Sequence, residues 1–333
     1  MAGRARGQAR TIAILSNNEG LGDCFRSLYM LRALKRALPE SRIAWYSAPI
    51  SPFARAMRAM VAPYLDSVTE SAPIERPFAT AVATLRGLPP VDLVIDTRTA
   101  FKRVAMARAF MRYRRFVTGC FGLSWGSTFH YLTALRHHFL ERRLELVRRA
   151  TCVEPDWQGR PDVPVAARAV AARLLPAGRR YVAIAPGASE PPRCWPLERF
   201  VALAARIAAA GDVPVFLLGP LEFAWAAQIR AGVPAAIVLD AALAAEVPPL
   251  DLTMAIAERA SLGVVNDSAV CHILATFGVP LLVLYGPTFE RRAHPFAVRY
   301  RALAARDFGG SAIDAIPLAA TADALDALIG AAS

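Results

Sequence analysis

The 333-residue sequence has no run of eighteen apolar residues free of charge, which excludes a membrane-spanning helix of ordinary length. It has no Cys-x-x-Cys pair. Its five cysteines, at 24, 120, 152, 194 and 271, are scattered and odd in number, which argues against structural zinc and for a reducing compartment. The apolar stretch after the basic start MAGRARGQAR covers only residues 11–15, too short for a secretory signal, so the first ten residues are expected to form a flexible tail. No Gly-x-Gly-x-x-Gly follows the first strand, where NNEGLGD stands instead. No acidic residue ends the second strand, 43–46, so a dinucleotide-dependent dehydrogenase is excluded. There is no Asp-x-Asp pair to hold a divalent cation, no nucleic-acid-binding motif and no repeat shorter than a domain.

What is present reads as α/β. Residues 262–265 are a β-rich apolar run that stops at Asn266-Asp267-Ser268, which are turn and N-cap residues. A helix over 270–277 follows, ended by Gly278, and then a second buried strand over 280–285 closed by Gly286-Pro287. This is a βαβ unit of a parallel sheet. The same grammar occurs at the strand 11–15, followed by the loop 16–23 and a helix over 24–38. It occurs again at the strand 181–185, followed by Pro186-Gly187-Ala188-Ser189 and a helix opened by Pro196. Further strands are expected at 41–46, 91–96, 212–218 and 235–239, and further helices at 54–60, 101–110, 129–150, 165–175, 197–210, 223–231 and 252–260. The Pro-rich stretch 76–90 reads as a surface loop, 118–135 begins as a loop near the cleft, and 151–164 reads as a linker. A terminal helix over 322–329 has Thr321 as its expected N-cap. Two doubly wound domains result, residues 1–160 and 161–333, facing each other across a central cleft.

The net charge of +12 is uneven. Between Lys102 and Arg149 stand eleven basic residues against Glu141 and Glu145, a net of +9, interleaved with Phe110, Tyr113, Phe116, Phe121, Trp125, Phe129, Tyr131 and Phe139. The plain alternative is a solvated helix face. A basic, aromatic surface also suits an anionic membrane or an anionic acceptor, with nucleic acid ranked last.

Ligands of doubly wound sheets lie beyond the carboxyl ends of the strands. GLGD (20–23), PGAS (186–189), RCWP (193–196), NDSAVCH (266–272) and YGPT (285–288) all fall at such ends. In this order, over roughly residues 11 to 295, they resemble glycosyltransferase family 9, the lipopolysaccharide heptosyltransferases. The resemblance implies the two-domain GT-B fold, an acceptor-side first domain, a nucleotide-sugar-binding second domain and inversion at the anomeric carbon. It places the catalytic base at Asp23, for which the other reading is a helix N-cap. It places diphosphate stabilisation at Arg193, where the family usually has lysine; arginine keeps its charge and binds phosphate bidentately. Donor binding is expected at Gly22, Gly187, Ser189, Glu222, Asp267, Ser268, Ala269 and His272. Taken alone, Asp267 also reads as an N-cap and His272 as a core histidine. Ala269 replaces the family's glycine and puts a Cβ where the diphosphate approaches. Asp96 and Lys102 are placed to touch acceptor. The expected donor is ADP-heptose and the expected acceptor an anionic, lipid-linked or oligosaccharide glycan. No metal or cofactor is expected, and the expected location is cytoplasmic, peripheral on the inner membrane face. Another nucleotide sugar, or a non-catalytic nucleotide-binding role in envelope assembly, remains open at this point.

Overall fold

The computed structural model describes residues 9–17, 19–120, 138–296 and 298–330. The chain divides into two compact units, Met1–Gly159 and Arg160–Ser333. The first holds a five-stranded parallel sheet in the order β3-β2-β1-β4-β5. Its strands are β1 (Thr11–Ser16), β2 (Arg42–Ser47), β3 (Ser67–Thr69), β4 (Val91–Asp96) and β5 (Tyr113–Thr118). The second holds a six-stranded parallel sheet in the order β11-β10-β9-β6-β7-β8. These are β6 (Tyr181–Ala185), β7 (Val213–Leu217), β8 (Ile237–Leu239), β9 (Leu262–Asn266), β10 (Leu281–Tyr285) and β11 (Tyr300–Ala304).

Strands β6, β9 and β10 are buried at every residue, as central parallel strands covered on both faces must be. Val182, Ile184, Val264, Leu282 and Leu284 share one core with Phe200, Leu203 and Ile207 of the helix Leu197–Ala209. Each such side chain contributes roughly 1.5–3 kcal/mol on burial. In each sheet the chain reverses direction of travel once, between β1 and β4 and between β6 and β9. The crevices beyond those switch points are where a doubly wound sheet binds ligands. The GLGD and PGAS loops leave β1 and β6 there, and Asp267-Ser268 leaves β9 there.

The strands 91–96 and 181–185 and the helix 101–110 lie as expected. Among the elements not anticipated are one helix and three strands of the sheets. The stretch 76–90 contains a helix, Phe78–Gly87, whose buried face is only Ala81 and Leu85, too small to give an apolar period. β5 is an edge strand whose exposed Arg114 and Arg115 break its alternation. β3 is three residues long, and β11 is only partly buried. The expected helix over 54–60 is instead a 3-10 turn at Pro52–Ala54 and a short helix at Arg58–Val61. Thr321 is not an N-cap; the last helix runs Leu318–Gly330, and the Thr321 hydroxyl donates back to the Pro317 carbonyl. The helix placed over 129–150 is described as Phe139–Thr151. The rest of that expectation, with Phe121, Trp125, Phe129 and Tyr131, lies outside the described residues.

Candidate active site

In the second unit, one buried amide joins three of the motif loops. Asn266, with no exposed surface, ends β9. Its Nδ2 donates to the Pro186 carbonyl at 2.7 Å, and its Oδ1 accepts from the Trp195 backbone N–H at 3.3 Å. The Trp195 indole is buried edge-on against Phe200 and donates Nε1–H to the Ile316 carbonyl at 2.9 Å. The PGAS and RCWP segments are thereby fixed to the end of β9.

Arg193 projects from this scaffold toward Asp267. Its Nη2 donates to the Asp267 carboxylate at 2.7 Å and to the Asp267 carbonyl at 2.5 Å. Its Nη1 reaches the Ser189 hydroxyl at 3.4 Å. Its Nε is buried with no hydrogen-bond partner, as is the Ser268 hydroxyl. Ser268 precedes the helix Ala269–Thr276, whose first N–H groups are unsatisfied by the helix itself. A guanidinium with unused donors, an unused hydroxyl and a helix start therefore stand together. That combination suits a phosphate. Asp267 itself is 4% exposed and acts on Arg193 rather than capping the helix.

Ala269 opens the helix with an ordinary backbone, since Ser71 and Cys152 are the only non-glycines of positive φ among the described residues. His272 is buried one turn into the same helix. Tyr285 ends β10 fully buried, its hydroxyl unpartnered, and burial pushes its phenol far above the ordinary range. Glu222 bridges two glycine loops: its Oε2 accepts from the Gly219 N–H at 2.8 Å, and its carboxyl group packs where a Gly187 Cβ would stand, 2.5 Å away. Only glycine at 187 leaves room for that carboxylate in its present position.

In the first unit the helix after β1 begins at Leu21, three residues earlier than expected, because Gly20 takes an extended backbone and serves as the N-cap. Gly22 and Asp23 therefore lie within the helix's first turn, and Asp23 is not itself the cap. Asp23 Oδ1 accepts from Arg26 Nη2 at 2.6 Å and faces Arg143 Nη2 at 3.9 Å. Arg26 also stacks over the Phe139 ring. Burial pushes the Arg143 guanidinium below its ordinary value even with Asp23 beside it. The loop is anchored by Glu19, 8% exposed, which accepts from Trp45 Nε1 at 2.9 Å and from the Ser51 hydroxyl at 2.5 Å. Burial, with the Glu19 charge next, raises the Cys24 thiol far out of its ordinary range, so Cys24 is a packing residue.

Asp96 departs from its expected role. Its carboxylate has no exposed surface and grips the fully buried Arg98 through Nε at 2.9 Å and Nη2 at 2.7 Å. Burial works against the Arg98 charge, but Asp96 and Glu75 outweigh it and raise its pKa. Lys102 is exposed at the start of the helix Phe101–Phe110. The basic segment is also more internally balanced than its count of charges implied. Glu145 bridges Arg148 and Arg149, Arg103 pairs with Glu75, and Arg143 is turned to Asp23. Arg112 and Arg114 remain exposed, Arg114 at 84% of its side chain.

Sequence reasoning missed Glu19, Arg26, Arg143 and Asn266 as site residues. Glu19 and Asn266 stood inside the motifs NNEGLGD and NDSAVCH. Arg26 lies one helical turn past Asp23, a legible i,i+3 pair. Arg143 arrives from far along the chain, and no local pattern signals it.

The sequence profile of glycosyltransferase family 9 (heptosyltransferase) matches residues 86–312, more than half of the chain. No curated protein matches the sequence. Among solved structures, a glycosyl transferase family 9 protein from Veillonella parvula is similar at 17% identity and a TM-score of 0.71, covering 97% of this chain and 98% of that one. The E. coli ADP-heptose lps heptosyltransferase II is similar at 16% identity and a TM-score of 0.67, covering 96% and 99%. The E. coli heptosyltransferase WaaC with ADP-2-deoxy-2-fluoro heptose is similar at 19% identity and a TM-score of 0.65, covering 97% and 100%.

Proposed function

The chain belongs to glycosyltransferase family 9, and on that premise we propose that this glycosyltransferase moves heptose from ADP-heptose to an anionic envelope glycan such as a lipopolysaccharide core. One observation carries the donor half of this reading. Arg193 Nε and the Ser268 hydroxyl are both buried without partners at the start of the helix Ala269–Thr276. Unpaired buried donors are costly, and a diphosphate would satisfy them together. The likeness to a heptosyltransferase solved with an ADP-heptose analogue supports the choice of nucleotide and sugar.

In the proposed reaction the acceptor hydroxyl gives its proton to Asp23. Both ion pairs of Asp23 fall on Oδ1, so Oδ2 is the oxygen proposed to take it. The acceptor oxygen forms its bond to the anomeric carbon from the face opposite the nucleotide. The bond from that carbon to the diphosphate oxygen breaks, its electron pair leaves with ADP, and the configuration inverts. Arg193 and the helix N–H groups take up the charge that develops on the leaving diphosphate. Exposed Lys102, Arg112 and Arg114 are proposed to hold the protein against an anionic membrane face.

The test is transfer by the purified protein. With ADP-heptose and a core glycan truncated before its heptoses, the product should gain the mass of one heptose, with inverted anomeric configuration by NMR. Faster transfer from a different nucleotide sugar would refute the donor assignment. Retained configuration would refute direct displacement.

A further inference from the structure

An aspartate carboxylate has no fixed face of its own. Its terminal torsion is broad and two-fold, so either oxygen can turn to a substrate. At Asp23 one oxygen is already taken. Arg26, one turn further along the helix Leu21–Ala37, places Nη2 2.6 Å from Oδ1, and Arg143, from the helix Phe139–Thr151, places Nη2 3.9 Å from the same oxygen. Burial falls on the cations and not on the acid. The Arg26 and Arg143 side chains are 10% and 12% exposed, whereas the Asp23 side chain is 30% exposed.

Arg26 is itself constrained. Its guanidinium carbon lies 5.3 Å from the centre of the Phe139 ring, within cation–π distance. An aromatic face and a carboxylate therefore both fix its position. Phe139 and Arg143 come from one helix, whose start is set by reciprocal capping between His138 and Glu141. The other carboxylate oxygen, Oδ2, lies beside Gly20. A Cβ on Gly20 would stand 3.6 Å from Oδ2, and Gly20 is exposed. No side chain at residue 20 covers that oxygen.

We propose that Arg26, steadied by Phe139, is a positioning residue for the base: it holds Oδ1 toward the interior and leaves Oδ2 as the oxygen that meets the acceptor hydroxyl. The assignment rests on the reading of Asp23 as the base. The role is orientation and not basicity, and the two have opposite signs. A cation beside a carboxylate disfavours its protonation, so on charge alone the loss of Arg26 would make Asp23 a better proton acceptor and speed transfer. On orientation, the loss slows transfer.

Initial rates are measured with ADP-heptose and a core glycan truncated before its heptoses, for the wild type, Arg26→Gln, Arg26→Lys, Asp23→Asn and the double variant Asp23→Asn with Arg26→Gln. Arg26→Gln should lower kcat by about tenfold or more, as misplacement of a reacting group does, while both KM values and ADP affinity stay within about twofold of wild type. Arg26→Lys, which restores the charge without the planar fork, should recover part of the loss. In the Asp23→Asn background Arg26→Gln should cost nothing further, because groups that act as a unit are non-additive. Should Arg26→Gln fail to fold, Phe139→Leu, which keeps an apolar side chain and removes the ring, should lower kcat in the same direction and again only where Asp23 is present. Wild-type or raised kcat in Arg26→Gln, or equal losses with and without Asp23, would overturn the positioning role alone. Turnover near wild type in Asp23→Asn would refute the base, and the positioning role with it.

Discussion

Replacing Asp96 by Asn separates a structural from a contact role at the end of β4. Arg98 has no exposed surface, and two of its three nitrogens bond the Asp96 carboxylate. The asparagine keeps the shape but turns an NH2 group toward one of those donors. A buried guanidinium then faces a donor where it had an acceptor, and the charge loses its principal counterion. Removing one partner of a buried pair costs about 3–5 kcal/mol. Glu75 remains at 3.7 Å, which argues for the lower figure, about 3 kcal/mol. In a unit of this size each kcal/mol lowers the melting temperature by about 2–4 °C, so a drop of about 6–12 °C is expected. Thermal unfolding followed by circular dichroism, with calorimetry to resolve the two units, reads it. The pair Asp96→Leu with Arg98→Met should recover most of the loss, because it removes both charges together. If the asparagine variant melts within 2 °C of the wild type while the KM for acceptor rises, the reasoning fails and Asp96 is an acceptor contact after all.

Asp23→Asn should keep the fold and ADP affinity and lose transfer by at least ~100-fold, the usual worth of a general base; turnover near wild type would remove Asp23 from the reaction. Asp92 accepts from the backbone N–H groups of Arg10 and Thr11, and these bonds, Arg10 first, hold its pKa below the ordinary aspartate value. Its contribution, about 1 kcal/mol, is therefore complete above pH ~4 and lost as pH falls through the lower folded value, so urea denaturation should separate wild type from Asp92→Asn at pH 7 and not at pH 2. Transfer should persist in excess chelator, since the donor phosphates are assigned to Arg193 and a helix start; loss restored by one divalent ion would displace that assignment. Reversing Arg112, Arg114 and Arg115 to Glu should weaken binding to anionic vesicles, at about 1 kcal/mol per residue near the surface, in a manner that high salt abolishes for the wild type; equal binding at low salt would mark these arginines as a solvated face.

The parts of the molecule legible in the sequence are those where local chemistry and tertiary context agree. β6 and β9 read correctly because central parallel strands are continuous apolar runs ended by turn residues. β5 did not, because Arg114 and Arg115 lie exposed side by side at a sheet edge and break its alternation. Phe78–Gly87 was hidden by its flanking prolines and by a buried face of one alanine and one leucine. The motif residues were found at their strand ends, but what each touches was not. Asp267 read as a donor contact or, taken alone, a cap, and it pairs with Arg193; Asp96 read as an acceptor contact and is the counterion of a core arginine. A one-residue motif states which chemistry is present, whereas the ion pair that consumes it is set by a side chain elsewhere in the chain.

The recurrence of that pairing bears on the arginine at 193. Lys35 and Lys102 are the only lysines among the 39 basic residues, and Asp23, Asp96 and Asp267 are each held by a guanidinium. A lysine at 193 would carry its three donors on one atom, and a bond to Asp267 would draw that whole charge to the carboxylate. The guanidinium divides the task. One terminal nitrogen, Nη2, serves the Asp267 Oδ2 and backbone carbonyl, while Nη1 reaches the Ser189 hydroxyl and Nε has no partner. An arginine at 193 therefore gives the proposed donor site a cation that is both anchored and available. The buried, unsatisfied Nε is the observation on which the proposed anionic ligand rests.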